Sequence, residues 1–220
     1  MSDRIRLVVD GREVTAREGE RVLWVALDHG IYIPHLCGLR EQEPPAASCR
    51  LCWVEVEGHP EPVTACALRA APGMLVRTRS PRVDRLVSWA LELLLSHHRL
   101  DCRRCPGRER CELRRIARER KLRLRATRLP NLDPGGVPDE SPAGFGFDSG
   151  RCVLCGRCVW VCHKKVGVGA IGFVRRGTAR RVSTFAEAPL AQSSCIQCLE
   201  CVEVCPVGAL YLKEKEGGSS

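Results

Sequence analysis

Residues 152–162 read CVLCGRCVWVC and residues 195–206 read CIQCLECVEVCP, so the cysteine spacing C-x2-C-x2-C-x3-C occurs twice, 43 residues apart. This spacing binds pairs of four-iron clusters, and the fourth cysteine of each run ligates the cluster of the other run. The duplication therefore predicts two clusters with exchanged ligands. The first set is Cys152, Cys155, Cys158 and Cys205, and the second is Cys195, Cys198, Cys201 and Cys162. Structural zinc offers no reason for such an exchange.

The other seven cysteines fall into two groups, namely Cys37, Cys49, Cys52 and Cys66, and then Cys102, Cys105 and Cys111 after His98. The first group supplies the four thiolates that a two-iron cluster requires, although its spacing also suits tetrahedral zinc. The second group, H-x3-C-x2-C-x5-C, fits a further cluster or structural zinc equally well. With His98, the fifteen cysteines make sixteen ligands, the number that four clusters need. This agreement between the number of ligands and the number that four clusters need favours electron transfer as the function of the whole chain.

The composition argues against disulfide bonds as the use of these cysteines. Their number is odd, they lie in tight C-x-x-C runs, and residues 1–4 lack the basic and apolar regions of a secretory signal. No apolar stretch approaches the roughly 20 residues that span a bilayer. We therefore expect a cytoplasmic protein without direct membrane insertion. Only 5% of the 220 residues are aromatic, which favours several small units built around metal over one large core.

The formal net charge of +9 would by itself suit a nucleic-acid-binding protein. That count treats every cysteine as neutral, whereas metal-bound cysteines are thiolates. Oxidised clusters with these ligands contribute about −7 in total, which leaves the loaded protein at about +2. Much of the basic excess therefore balances the clusters, and nucleic acid is not an expected partner.

Strand and helix signals predict an α+β chain. Residues 4–16 read as a β-hairpin that turns at Asp10-Gly11. A helix that begins at Val22 and ends at Gly30 follows. Further short strands are predicted at 53–57, 63–64 and 74–76.

Two further helical stretches are predicted in the middle of the chain. The first begins after Ser80, which acts as its cap, and ends just before His98. The second follows Cys111, and its basic residues are expected to form a solvated face, with docking to an acidic partner as the alternative. These basic residues are Arg114, Arg115, Arg118, Arg120, Lys121 and Arg123.

Two segments carry a family resemblance. IPHLC at residues 33–37 and SCRLCWVEV at residues 48–56 closely resemble the two-iron ferredoxin domain of respiratory complex I and related hydrogenases. In that family the domain has a β-grasp fold, and a four-iron cluster with one histidine and three cysteine ligands follows it directly. The resemblance implies that His98, and not the neighbouring His97, completes the second group. It also implies one 2Fe-2S cluster and three 4Fe-4S clusters as cofactors.

On this basis the chain divides into five segments. They are a two-iron ferredoxin-like domain at 1–78, a small helical domain with the histidine-ligated four-iron cluster at 79–126, a linker at 127–148, a bacterial-type double four-iron ferredoxin domain at 149–212, and a flexible tail at 213–220.

Over residues 4–212 the chain resembles the small iron–sulfur (diaphorase) subunit of soluble NAD-reducing nickel–iron hydrogenases, and it is similar to the N-terminal region of the complex I large iron–sulfur subunit. The complete second run and the lack of a molybdopterin-type domain favour the former. The resemblance implies an electron-relay subunit of an NAD-linked oxidoreductase, with no catalytic residue of its own. Its implied partners are an NAD(H)- and FMN-binding flavoprotein subunit and the small and large hydrogenase subunits.

Other functions stay open at this point. An equivalent relay subunit could serve a bifurcating hydrogenase, a formate dehydrogenase or a complex I-like enzyme. A free polyferredoxin that shuttles electrons between enzymes has the same motifs. A zinc-stabilised interaction or nucleic-acid-binding protein is the alternative from a different class.

Overall fold

The computed structural model describes residues 4–132 and 136–213, which divide into two compact units. The first unit contains the residues up to Leu93 together with Arg118–Leu122, and the second contains Leu94–Ala117 and the residues from Arg123 onward. The five predicted segments are finer than this division and stay predictions. Beyond Lys213, the predicted tail lies outside the described residues.

The first unit is built on a five-stranded mixed sheet with the strand order β2-β1-β5-β3-β4. β1 pairs with β5 in parallel, and the other neighbours are antiparallel. The helix α1 lies in the chain between β2 and β3. The bounds of these elements are β1 (Arg4–Val9), β2 (Arg12–Arg17), α1 (Val22–Asp28), β3 (Trp53–Val56), β4 (Val63–Thr64) and β5 (Leu75–Arg77). This mixed sheet with a single helix is compatible with the β-grasp fold that the resemblance implies.

The core of this unit is formed by alternate side chains of its strands. Ile5, Leu7 and Val9 are buried, whereas the residues between them in β1 are exposed or half-buried, because side chains alternate between the two faces of a strand. The predicted hairpin turn is confirmed, since Asp10 and Gly11 have φ values of 50° and 77°, as a type I′ turn requires. The predicted elements of this unit are thus present within a few residues of their expected bounds.

Two helices, α2 (Pro81–Ser96) and α3 (Glu112–Arg120), each contribute residues to both units. The predicted cap of α2 is confirmed, because the Val83 amide donates a hydrogen bond of 3.1 Å to Ser80 Oγ. No helix among residues 4–132 and 136–213 is both long and apolar enough to cross a membrane.

One residue of the expected solvated face of α3 contradicts the prediction. The Arg120 side chain is only 3% exposed, and its Nη1 lies 2.6 Å from Asp84 Oδ1. Its Nη2 donates a hydrogen bond to the Thr78 carbonyl oxygen at 3.1 Å. The prediction for Arg120 was wrong because a long side chain can turn back from its helix and satisfy a buried carbonyl and a carboxylate.

The second unit contains little regular structure. β6 and β9 form one antiparallel two-stranded sheet, and β7 and β8 form another. The helix α4 continues into a π-helical turn at Val161–Lys165, which carries Cys162. The bounds are β6 (Phe145–Phe147), α4 (Arg157–Trp160), β7 (Gly172–Val174), β8 (Arg181–Ser183), α5 (Glu200–Glu203) and β9 (Leu210–Leu212).

The core of the second unit combines apolar side chains with cysteines. Phe145, Val182 and Leu190 are buried there together with Cys158, and further cysteines pack against them. So small a core buries little apolar surface for its length, as expected of a domain that metal binding stabilises.

Two segments of the backbone in this unit pass close to each other at Gly107 and Gly208. A Cβ atom on Gly208 would lie 2.4 Å from Cys105 Sγ and 2.8 Å from the Gly107 nitrogen. A Cβ atom on Gly107 would lie 2.4 Å from the Cα atom of Gly208. Both positions therefore need glycine because any side chain would push the two segments apart.

We expect Gly208→Ala to destabilise the loaded protein by about 1–3 kcal/mol, since the added methyl group overpacks the crossing. The apparent melting temperature of the anaerobically purified protein measures this effect. Gly172→Ala is the matched control, because a Cβ atom at Gly172 meets nothing within 4 Å. Equal melting temperatures for the two variants would contradict the importance of the crossing.

Candidate iron–sulfur cluster sites

The four cysteines of the first group are all buried in the first unit. Cys37, Cys49 and Cys52 lie in the long segment between α1 and β3, and Cys66 follows β4. The sulfur atoms of Cys37 and Cys49 are 3.4 Å apart. Cys52 and Cys66 are joined by a side-chain hydrogen bond. The thiols therefore form two pairs, and a two-iron cluster takes two ligands on each iron.

Hydrogen bonding within each pair separates the pKa values of the two thiols. The bond with Cys49 lowers the pKa of Cys37 to about 5, and the same bond together with burial raises the pKa of Cys49. In the other pair, the bond between the two thiols lowers the pKa of Cys66 and, with burial, raises that of Cys52. Each pair thus offers one thiol that deprotonates more readily, and the thiolate is the form that binds metal.

The second group lies between two helices. His98 comes two residues after the end of α2 and is only 7% exposed, whereas His97 is half-buried. Cys111 lies directly before α3. Burial raises the pKa of Cys111, and the charges of nearby Cys105 and Cys102 raise it further. The structure thus brings the three cysteines together and buries the histidine that precedes them.

In the second unit, the last cysteine of each ferredoxin-like run lies near the cysteines of the other run. Burial raises the pKa of Cys152 to about 12, and the nearby charges of Cys155 and Cys205 add to the effect. Cys205 belongs to the second run in the sequence but lies near the first run in space.

Cys162 shows the reciprocal placement. Burial raises the pKa of Cys201 to about 12, and the neighbours that contribute are Cys195, Cys198 and Cys162. The last cysteine of the first run therefore lies near the second run. This is the grouping that the exchanged ligand sets require.

The backbone has the same shape in both runs. The residue before and the residue after the second cysteine adopt left-handed conformations, at Leu154 and Gly156 in the first run and at Gln197 and Leu199 in the second. Three of these four residues are not glycine, although a left-handed residue other than glycine costs roughly 1–2 kcal/mol. Turns of this kind point successive amides inward and form the anion-binding concavities found at iron–sulfur sites.

Backbone amides also approach three of the cysteine sulfur atoms. The pairs are Leu36 N to Cys49 Sγ at 3.4 Å, Leu154 N to Cys152 Sγ at 3.4 Å, and Ala170 N to Cys162 Sγ at 3.3 Å. Hydrogen bonds to ligand sulfurs stabilise the negative charge of a thiolate-bound cluster. The donor chemistry and these amides therefore fit iron–sulfur clusters.

No group of three or more His, Cys, Asp or Glu side chains within 4–132 and 136–213 is arranged to hold a single metal ion. The fit to clusters consequently rests on the thiol sets and the amides around them, and not on a preformed single-ion geometry.

One buried carboxylate close in the chain to the predicted ligand Cys152 was not foreseen from the sequence. The side chain of Asp148 is 2% exposed and lies 3.3 Å from Arg99 Nη1 and 3.3 Å from Arg151 Nε. Its Oδ1 also accepts a hydrogen bond of 2.9 Å from the Gly150 amide. The sequence holds no signal for this group, because a lone aspartate in a proline- and glycine-rich stretch reads as a turn residue.

Two family models match the chain. A 2Fe-2S iron–sulfur cluster binding domain matches residues 2–81, and a 4Fe-4S dicluster domain matches residues 151–209. The chain therefore contains a two-iron domain and a two-cluster four-iron domain. Together with the two units described above, these matches define a multi-cluster iron–sulfur protein of mixed α and β structure.

Similarity to individual proteins narrows this class. The chain is 30% identical to the gamma subunit of the NAD-reducing hydrogenase HoxS of Cupriavidus necator, over 95% of this chain and 87% of that protein. It also aligns with a chain in the crystal structure of an NAD⁺-reducing NiFe hydrogenase in the H₂-reduced state, with a TM-score of 0.84 and 30% identity over 98% of this chain and 90% of that one. The chain belongs to this family of hydrogenase iron–sulfur subunits, and the resemblance drawn from its motifs is confirmed.

Other relatives are much longer. A subunit of the NADH-quinone oxidoreductase of Rhizobium meliloti is 36% identical over 94% of this chain, but the match covers only 24% of that protein. The alpha subunit of the NADPH-Fe(3+) oxidoreductase of Geobacter sulfurreducens is likewise covered over 24% of its length. The chain thus spans about a quarter of the length of these two relatives.

We expect His98→Ala to remove or alter one four-iron signal in electron paramagnetic resonance spectra and to leave the two-iron signal intact. The reason is that the predicted ligand sets assign His98, which is buried, to only one of the four-iron sites. His97→Ala, which changes the half-buried neighbour, is the matched control and is expected to keep every signal. Loss of the two-iron signal in His98→Ala, or equal spectra for both variants, would count against this ligand assignment.

Proposed function

We propose that this chain is an electron-relay subunit that carries electrons between an NAD(H)-linked flavoprotein subunit and a hydrogenase module. The observation that carries the proposal is the match along 87% of the HoxS gamma subunit, which includes both cluster domains. Relatives named as reductases of NAD, NADP or quinone share the same region of sequence. The proposed role is transport of electrons, without a substrate site in this chain.

The sixteen predicted ligands divide into four proposed sets. They are Cys37, Cys49, Cys52 and Cys66 for a 2Fe-2S cluster, and three sets for 4Fe-4S clusters, namely His98 with Cys102, Cys105 and Cys111; Cys152, Cys155 and Cys158 with Cys205; and Cys162 with Cys195, Cys198 and Cys201. Bound clusters accept and release single electrons. The chain's own residues hold the ligands, limit contact with water and fix the charge around each site.

Exposure differs between the ligand sets and suggests where a partner approaches. All fifteen cysteines lie in the part of the chain that the structure describes, and Cys198 is the one that is exposed, whereas all four cysteines of the first group are buried. The neighbouring Ile196 is 64% exposed. A ligand near the surface shortens the distance to an acceptor, so we assign the second run to the side that faces the hydrogenase subunits. The assignment of the two-iron domain to the flavoprotein rests on the family resemblance alone.

A second candidate function has its own support. The 36% identity to a component of NADH-quinone oxidoreductase is higher than the identity to the HoxS gamma subunit. A complex I-like or other NAD(P)-linked enzyme could therefore use this chain as the same kind of relay. The flavoprotein partner is common to both functions. Only the partner at the other end of the relay differs, since it is a hydrogenase module in the first function and another NAD(P)-linked enzyme in the second. A cytoplasmic location remains a prediction for either.

Reduction by NADH distinguishes a relay subunit from a self-sufficient enzyme. We expect NADH to leave the clusters of the isolated chain oxidised and to reduce them once the flavoprotein subunit is added, because this chain has no expected nicotinamide or flavin site. Absorbance bleaching under anaerobic conditions measures the reduction, and dithionite serves as the positive control.

Purification under anaerobic conditions tests the partners. Co-purification with a flavoprotein and hydrogenase subunits supports the first function, and quinone-reductase subunits in their place would support the second. Purification of the chain alone, with reduction by many unrelated donors, would instead indicate a free polyferredoxin.

A further inference from the structure

Two proposed ligand sets of the second unit are joined through the main chain. The Arg99 amide donates a hydrogen bond of 2.7 Å to the carbonyl oxygen of Gly150. Arg99 directly follows His98, and Gly150 lies two residues before Cys152. One short hydrogen bond therefore connects the loop of the His98 set to the loop of the Cys152 set.

A second main-chain hydrogen bond joins the same two sets from the other side. The Glu112 amide donates to the Pro206 carbonyl oxygen at 2.9 Å. Glu112 follows Cys111, and Pro206 follows Cys205. Because each bonded residue is next to a proposed ligand, a shift of one loop moves a ligand of the other set.

Arg151 adds a side-chain link between the two loops. Its Nη2 donates to the carbonyl oxygen of Arg104 at 3.4 Å, and Arg104 lies between Cys102 and Cys105 of the His98 set. Arg151 itself directly precedes Cys152. The guanidinium of one loop therefore reaches across to the other.

The Asp148 carboxylate lies beside an arginine from each of the two loops. Arg99 Nη1 lies 3.3 Å from each of its carboxylate oxygens, and Arg151 Nε lies 3.3 Å from Oδ2. The Gly150 amide donates to Oδ1 at 2.9 Å. With only 2% of its side chain exposed, Asp148 is shielded from water, so its charge acts strongly on nearby groups. Of its two arginine partners, Arg99 directly follows the proposed ligand His98 in the chain, and Arg151 directly precedes the proposed ligand Cys152.

We propose that Asp148 is a positioning residue that holds Arg99 and Arg151 against the His98 and Cys152 ligand loops and sets the reduction potentials of both four-iron sites. The proposal rests on the ligand sets given above. Reduction adds negative charge to a cluster, so a fixed cation nearby raises the potential and a fixed anion lowers it. Asp148 supplies one buried negative charge, and its carboxylate fixes the positions of the positive charges of Arg99 and Arg151.

Asp148→Asn in the full-length, cluster-loaded chain tests the proposal. Asparagine has nearly the same shape, and its side-chain oxygen can still accept hydrogen bonds from the Gly150 amide and from a guanidinium. We therefore expect the two arginines to stay in place while the negative charge is removed. We expect the potentials of the His98-site and Cys152-site signals to shift to more positive values, with the two-iron signal unchanged. Redox titration followed by electron paramagnetic resonance measures the potentials, and His98→Ala identifies which signal belongs to the His98 site.

Glu140→Gln is the matched control, because it neutralises a carboxylate of the same unit that is half exposed and pairs with Lys213 at 3.4 Å. It is expected to shift none of the four signals. If Asp148→Asn fails to retain iron, Arg151→Gln replaces it, since that variant removes a guanidinium that is 12% exposed beside Cys152. The expected shift of the Cys152-site signal is then toward more negative potential, and the exposed Arg176→Gln serves as its control.

Shifts of opposite sign in Asp148→Asn and Arg151→Gln support the proposal, as does the negative shift in Arg151→Gln alone. Unchanged potentials at full iron content would overturn it, because a residue that only helps the chain to fold does not alter the potential of a fully loaded site. An equal shift in the two-iron signal would overturn it as well. Absence of a histidine-dependent four-iron signal in the unmodified protein would instead contradict the proposed ligand sets.

Discussion

Burial of thiols next to one another is the constraint on which the rest of this structure depends. Burial raises the pKa of Cys152 and Cys201 to about 12, so neither thiol readily gives up its proton at neutral pH unless a cation replaces it. Metal binding releases these protons, and its free energy becomes part of the free energy of folding. The second unit, with its small core and little regular structure, can be stable on this basis.

The constraint fits the placement of the proposed ligands, most of which lie in loops, with Cys158, Cys162 and Cys201 on short helical turns. Leu154, Gln197 and Leu199 adopt left-handed conformations although they are not glycine, as in turns that point amides inward, and the Leu154 amide lies 3.4 Å from Cys152 Sγ. Gly107 and Gly208 let two ligand-bearing segments cross without side chains between them. The buried Asp148 carboxylate lies 3.3 Å from Arg99 and from Arg151, each of which is adjacent in the chain to a proposed ligand. Left-handed residues and buried charge thus lie close in the chain to the proposed ligands.

Much of this could be predicted from the sequence because ligand spacing and strand alternation are local patterns. The Asp10-Gly11 turn, the Ser80 cap and the grouping of Cys205 with Cys152 all follow from such patterns. The burial of Arg120 and the role of Asp148 could not be predicted, because they depend on partners that lie 36 and 49 residues away in the chain. Long-range pairing of charged side chains leaves no periodic signal in a single sequence.

The central claim is that one chain holds a two-iron cluster and three four-iron clusters. Mössbauer spectroscopy of the anaerobically prepared, iron-57-labelled protein tests it most directly, because the two cluster types give distinct spectra. The ligand sets predict about fourteen irons per chain, with about one seventh of the iron in the two-iron form. A fraction near one fifth would mean that the His98 group holds no cluster. Abundant zinc with little iron would contradict the electron-relay function altogether.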